Sequence, residues 1–207
     1  MNKMVIRSCV VGKIRTNCYL AMNKESNELF IVDPGDEADL IVRTIQEMKG
    51  KPEGILLTHG HYDHILAVEE LKRKFRIPVI ACEAEADTLL HPEKNLSEET
   101  SCSIKPDRLL KDNEEFTLAG AKIRVLHTPG HTKGSCCYYL KDEGVLFSGD
   151  TLFCCSVGRT DFPGGSTAEI IHSLHRLISE LPEETEVYPG HEMSTTIGYE
   201  KRYNPFV

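Results

Sequence analysis

The chain has 207 residues, 40% of them hydrophobic and 27% charged, with a formal net charge of −8 at pH 7. Nothing in it approaches the roughly 18 apolar residues that span a bilayer, so no membrane is expected. The acidic balance and the lack of a Lys/Arg cluster exclude nucleic acid as the expected partner and leave a small molecule. The start, Met1 to Arg7, has no long apolar stretch and no small-residue cleavage site, which predicts a cytoplasmic protein. The eight cysteines include no C-x-x-C, and two pairs, Cys136-Cys137 and Cys154-Cys155, are adjacent; free and mostly buried thiols are expected. For Cys154 and Cys155, close in sequence to Asp150, a redox or substrate role stays open.

In chain order, Val5 to Val10 and Asn17 to Met22 predict paired strands. Leu29 to Val32 is a short buried strand ending in the turn Asp33-Pro34-Gly35. Leu40, Ile41, Ile45 and Met48 fall at helical spacing within 36–49. Gly54 to Leu57 predicts a strand, then Ile65, Val68, Leu71 and Phe75 mark a helix, Pro78 to Ala81 a strand, and 83–90 a helical stretch. From Leu109 the pattern turns to β, with strands at Glu115 to Leu118, Ala121 to His127, Ser135 to Leu140 and Gly144 to Ser148. A helix from Thr167 to Glu180 and a strand at Glu186 to Tyr188 follow. Strand-rich and helical stretches thus come twice over. This predicts one α/β domain over 1–207, two halves stacked face to face with loops gathered at one edge.

The chemistry concentrates in Thr58-His59-Gly60-His61-Tyr62-Asp63-His64. Imidazole suits zinc and other first-row divalent ions, and a carboxylate adds charge. His59 and His61 are two apart, so in an extended segment they point the same way, whereas the adjacent Asp63 and His64 diverge. One loop therefore offers two ligands to one metal and two to another. The competing reading is a helix start, with Asp63 as its cap and the histidines as surface groups. Three further turns weigh against it, each presenting a ligand type directly after glycine: Gly130-His131, Gly149-Asp150 and Gly190-His191. His127 shares a segment with His131 and reads as a neighbour of the site or a buried structural group. His91, His172 and His175 read as solvated or partly buried.

His59-x-His61-x-Asp63-His64 with His131, Asp150 and His191 resembles the metallo-β-lactamase superfamily over the whole chain. Asn17-Cys18-Tyr19, Val32 to Gly35 and the ending Thr195 to Gly198 with Asn204-Pro205-Phe206 are similar to it as well. Gly149-Asp150-Thr151-Leu152-Phe153 and Gly158 to Gly165 resemble its short glyoxalase II-like hydrolases. The resemblance implies a four-layer αβ/βα sandwich with two divalent metal ions at its edge, zinc first, iron or manganese otherwise. His59, His61 and His131 would hold one ion, Asp63, His64 and His191 the other, and Asp150 would bridge them. Asp33 would be structural rather than a ligand.

The implied activity is hydrolysis of a small acyl thioester by a metal-activated hydroxide, with Asp63 and Asp150 as the catalytic carboxylates orienting it. Arg159 would contact a substrate carboxylate or form an ion pair with Asp161. The chain ends 16 residues after His191, so the helical glutathione-binding domain of full-length glyoxalase II is not expected. A persulfide dioxygenase, with one iron on His59, His61 and Asp150, is the rival, because those enzymes share a Gly-Arg-Thr-Asp-Phe segment.

Overall fold

Strands β1 (Met4–Val11) and β2 (Thr16–Asn23) form an antiparallel hairpin that pairs Val11 with Thr16, and β3 (Glu28–Val32) continues it antiparallel. The computed structural model describes residues 3–97 and 99–207. Helix α1 (Ala38–Met48) carries the chain over to β4 (Lys51–Leu57), which runs parallel to β3. The strand extends three residues before the expected Gly54, through Pro52. A register shift between Leu29 and Phe30 in its neighbour accompanies that proline. Helices α2 (Tyr62–Ile65) and α3 (Val68–Phe75) lead to β5 (Val79–Cys82), and α4 (Ala86–Leu90) with α5 (Pro92–Asn95) leads to β6 (Arg108–Leu110). The first sheet is ordered β1-β2-β3-β4-β5-β6.

The second sheet begins with an antiparallel meander: β7 (Glu115–Leu118), β8 (Ala121–His127), β9 (Cys136–Leu140) and β10 (Val145–Gly149). A small hairpin follows, β11 (Leu152–Phe153) and β12 (Ser156–Val157). Helix α6 (Thr167–Glu180), capped by Ser166, crosses to β13 (Glu186–Pro189), which lies parallel to β10; β14 (Thr195–Thr196) and α7 (Ile197–Tyr203) complete the chain. The order in this sheet is β14-β13-β10-β9-β8-β7.

Alternation along the strands sets the layers. On β3, Leu29 and Ile31 face a core shared with Ile41 and Ile45 of α1 and Leu71 of α3. Phe30 and Val32 face the other way, into a core between the two sheets with Ile123, Tyr138 and Phe147. A third core joins the outer face of the second sheet to Leu174 and Leu177 of α6 and Ile197 of α7. The result is the expected four-layer αβ/βα sandwich. Both sheets are covered on both faces, which explains why their central strands read as continuous apolar runs. Between the sheets, Phe147 meets Phe30 edge-on with centroids 6.1 Å apart and Tyr19 at 5.4 Å. Burying each such ring contributes about 1.5–3 kcal/mol.

The helix expected to run through Ile65 to Phe75 is broken in two. Ala67 N–H donates to Pro34 O at 3.1 Å instead of to the helix, and Leu66 N–H reaches Gly35 O at 3.2 Å. The Pro34-Gly35 turn is thus docked into the break. A β-carbon at Gly35 would lie 1.7 Å from Asp63 O, so only glycine fits there. The break fixes where Asp63 and His64 point. No helix among the described residues is long and apolar enough to cross a membrane.

Candidate metal centre

All four ligand-bearing loops emerge where strands end: after β4 (residues 58–64), after β8 (His131), at the end of β10 (Asp150) and after β13 (His191). In the two parallel pairs, β3–β4 and β10–β13, the C-terminal ends share an edge, as open α/β sheets present their sites. Loops distant in sequence therefore meet. His61 Nδ1 lies 2.8 Å from His131 Nε2, and the ring of His59 stands edge-on to both, with centroids 4.9 and 4.7 Å away. His64 Nε2 lies 3.3 Å from Asp63 Oδ2 and 3.4 Å from His191 Nε2, while His191 Nε2 is 3.2 Å from Asp63 Oδ2. Asp150 sits between the groups, Oδ1 3.5 Å from His64 Nε2 and Oδ2 3.5 Å from both His131 Nε2 and His191 Nε2.

Three of the imidazoles, His59, His64 and His131, are oriented from behind. His64 Nδ1 donates to Asp33 Oδ2 at 3.1 Å, and His131 Nδ1 donates to Arg159 O at 2.8 Å, which leaves Nε2 of each ring as a lone pair aimed into the site. Thr58 Oγ1 donates to Asp33 Oδ2 at 2.6 Å and lies 3.2 Å from His59 Nδ1, so it can accept from that ring. Asp33 has φ +49, a left-handed conformation that short polar side chains tolerate, and its other oxygen accepts from Thr58 N–H at 2.8 Å. Thr16 Oγ1 donates to Asp63 Oδ2 at 2.9 Å. The last loop is held from the first half: Asn17 Nδ2 donates to Pro189 O and Glu192 O, and Tyr19 Oη to Pro189 O.

Three observations show that this constellation fits cations. His59 Nε2, His61 Nε2 and Asp150 Oδ1 are buried without a hydrogen-bond partner, a costly arrangement for a site meant to stay dry and empty. His59, His61 and His131 can bring one nitrogen each within 4.8 Å of one another, and so can Asp63, His64 and His191 with one ligand atom each. A β-carbon at Gly190 would fall 2.2 Å from Asp150 Oδ1 and 2.7 Å from the His64 ring, so the backbone before His191 must be bare. The electrostatics of the two groups differ. Burial, then the neighbouring imidazoles, hold His59 well below the usual histidine range; burial and His131 lower His61 to about 3. Burial also works against charge on His64, but Asp63, Asp150 and Asp33 outweigh it and raise its pKa. Burial opposes the ionised Asp63 too, yet His64 and His191 pull its pKa far down. His59 and His61 thus present neutral nitrogens and Asp63 a charged carboxylate, donors suited to hard-to-borderline divalent ions.

Glu85 went unnoticed in the sequence. It is buried in the 3₁₀ turn before α4, where Oε1 accepts from Gly60 N–H at 2.8 Å and Oε2 accepts from Thr132 Oγ1 and Gly134 N–H, both at 2.9 Å. It therefore ties the His59–His61 loop to the His131 loop. Burial, against those three donors, pushes its pKa from 4.5 to about 7. The folded value exceeds the unfolded one, so the benefit of the protonated form is complete below pH 4.5 and is lost as pH rises through about 7. Accordingly, the stability difference between wild type and Glu85→Ala, measured by urea unfolding of metal-depleted protein, should narrow by about 3 kcal/mol across that window and stay level above it. A difference independent of pH would refute this account.

The other histidines lie elsewhere. His127 is half-buried and bonds Lys133 O through Nε2, bracing the loop after His131 as a structural group. His91, His172 and His175 are on or beside helices, the last two exposed. Arg159 is exposed and forms the ion pair with Asp161, two contacts of 2.7 Å, with its guanidinium 3.9 Å over the Phe162 ring. Phe162 in turn stands edge-on to His61. A cleft of about 660 Å³ opens beside Asp63, lined by Lys13, Ile14, Tyr62, Leu66 and Leu96 among others.

A family model described as the metallo-beta-lactamase superfamily matches residues 11–191. Hydroxyacylglutathione hydrolase GloC of Haemophilus influenzae is 35% identical over 212 residues, covering 99% of this chain and 98% of that one. Among solved structures, the BLEG-1 B3 metallo-beta-lactamase superposes with a TM-score of 0.91 at 40% identity, covering 98% and 99% of the two chains. TTHA1623, solved in a di-iron-bound form, does so at 0.84 and 36% identity, covering 97% and 100%. Matched span, full-length relatives and the clustered donors agree: the chain belongs to the metallo-beta-lactamase superfamily, as one of its metal-dependent hydrolases.

Proposed function

We propose that the protein hydrolyses a small acyl thioester at a dinuclear centre, with His59, His61 and His131 holding one ion, Asp63, His64 and His191 the other, and Asp150 between them. The observation that carries this reading is the second group of donors, complete and within reach of Asp150. A pair of divalent ions there supplies a water with its pKa lowered toward about 7 and a Lewis acid for the carbonyl. The chain's own residues do the rest. Asp63, fixed by Thr16, and Asp150 offer carboxylate oxygens that would orient the water by accepting a hydrogen bond from it. Ile14, Leu66 and Leu96 give the acyl or thiol arm an apolar wall beside Asp63. Arg159 is the basic group for a substrate carboxylate, acting through the guanidinium N–H groups that Asp161 leaves free.

A thiolate leaving group needs no acid from the protein. A thiol of pKa about 8.5 departs as the anion, whereas an amine must be protonated. GloC, named as a hydroxyacylglutathione hydrolase, supports the thioester class. The persulfide dioxygenase reading rests on Gly158 to Phe162 and on likeness to ETHE1 from Myxococcus xanthus, 30% identical at a TM-score of 0.82, but it leaves Asp63, His64 and His191 without a task. To test the proposal, protein of defined metal content is assayed against a panel of acyl thioesters, a β-lactam and a glutathione persulfide. About two metal ions per chain and preferential thioester cleavage are expected. Preferential β-lactam cleavage, or one iron per chain with oxygen uptake on the persulfide, would overturn it.

A further inference from the structure

We propose that Cys154, Cys155 and Glu200 form a separate metal site for a thiophilic d¹⁰ cation such as Zn²⁺ or Cd²⁺. Phe153 pairs with Ser156 across the β11–β12 hairpin, so Cys154 and Cys155 are its two-residue turn. Both thiols are half-buried. Their sulfurs and a carboxylate oxygen of Glu200, from α7, all lie within 4.8 Å of one another. A tetrahedral zinc with bonds of about 2.3 Å to sulfur needs its sulfurs about 3.8 Å apart, which this spacing accommodates.

Glu200 makes the cluster more than a pair of exposed thiols. The residue is fully buried. Its carboxylate accepts from Thr195 Oγ1 at 2.5 Å, Cys155 N–H at 2.8 Å and Asn204 Nδ2 at 2.8 Å, all neutral donors. Among the described residues no Lys, Arg or His is paired with it. A buried carboxylate without a counter-ion is costly, and a cation held by the adjacent sulfurs would supply one. Cys155 also has φ +55, a backbone conformation that favours glycine, yet the thiol is placed there. A cavity of about 630 Å³ bordered by Cys154, Tyr188, Met193 and Tyr199 gives the cluster an entrance and room for a water as fourth ligand. On binding, each thiol releases one proton to solvent as its sulfur–metal bond forms, so a divalent ion and two thiols give a neutral dithiolate unit beside Glu200.

The site is chemically distinct from the dinuclear centre, whose seven donors include no sulfur, and it stands whatever substrate that centre takes. Phe153 lies between the two, its ring centroid 6.1 Å from that of His191.

The test titrates the reduced, zinc-loaded holoenzyme with Cd²⁺ and follows the ultraviolet thiolate-to-cadmium charge-transfer band together with bound cadmium. Cadmium exchanged into the oxygen–nitrogen centre gives no such band. We expect the band to saturate at one cadmium per chain, to vanish in the double variant Cys154→Ser/Cys155→Ser and to persist in Cys102→Ser. Glu200→Gln, which keeps the side-chain size, should weaken cadmium binding about tenfold or more. A wild-type protein without the band, or a band that survives the double variant, would overturn the proposal.

Discussion

Asp63→Ala should lower thioester turnover by more than the roughly 100-fold that loss of a group behind a metal ligand costs, and bound metal should fall from about two ions per chain to about one. The geometry explains both numbers. Asp63 Oδ2 stands 3.3 Å from His64 Nε2 and 3.2 Å from His191 Nε2, so its removal leaves one cation with two imidazoles and a shared Asp150. The charge lost cannot be replaced by water. The first group keeps all three of its histidines, and the fold should survive because Asp63, in the short helix α2, belongs to none of the three apolar cores. Thr16→Val is the graded control: it removes the 2.9 Å hydrogen bond to Asp63 but not the ligand, and should cost about 10-fold to 100-fold with two ions retained. Metal analysis and steady-state kinetics on the same samples check the pair. Asp63→Ala with two ions and wild-type turnover would remove Asp63 from the centre.

The candidate ligands were legible in the sequence because they gather where strands end, with a glycine directly before His61, His131, Asp150 and His191, a pattern that survives without knowledge of what surrounds it. The four layers were legible for a related reason: apolar runs such as Leu29 to Val32 can only be strands buried on both faces. Short elements were not. The two-residue strands β11, β12 and β14 have no period to read, and seven-residue α7 shows too little of one. The break between α2 and α3 was hidden because its cause, the Pro34-Gly35 turn, lies some thirty residues upstream. Supporting groups were hidden most completely. Glu85 is one acid in a helical stretch that also holds Glu83 and Asp87, and only its burial against Gly60, Thr132 and Gly134 sets it apart. Thr58 and Thr16 carry no residue-type signal at all. The two thiols of Cys154 and Cys155 were expected to be mostly buried, and their hairpin instead leaves them half-exposed.

Asp33→Asn should damage both metal positions at once, although Asp33 is a ligand in neither proposed group. As a carboxylate, Asp33 Oδ2 can only accept, and it accepts from His64 Nδ1 at 3.1 Å and from Thr58 Oγ1 at 2.6 Å. An asparagine of the same shape keeps Oδ1 for Thr58 N–H and turns an NH₂ toward those two partners. His64 Nδ1 must then accept, which moves its proton to Nε2 and removes the lone pair that faces Asp63 and Asp150. Thr58 Oγ1 must accept from the amide and is free to donate to His59 Nδ1, 3.2 Å away, so the same inversion passes to His59 Nε2 in the other group. One substituted atom thus reverses two imidazoles that serve different cations, the tautomer logic by which an Asp→Asn change behind a catalytic histidine is so damaging. Each ion should bind about 10-fold to 100-fold more weakly, with turnover falling by at least as much. Competition with a chromophoric chelator separates the two affinities, and nitrogen NMR of the histidine rings reports the tautomers directly. Unchanged tautomers, or weakening confined to one ion, would break the proposed relay through Thr58.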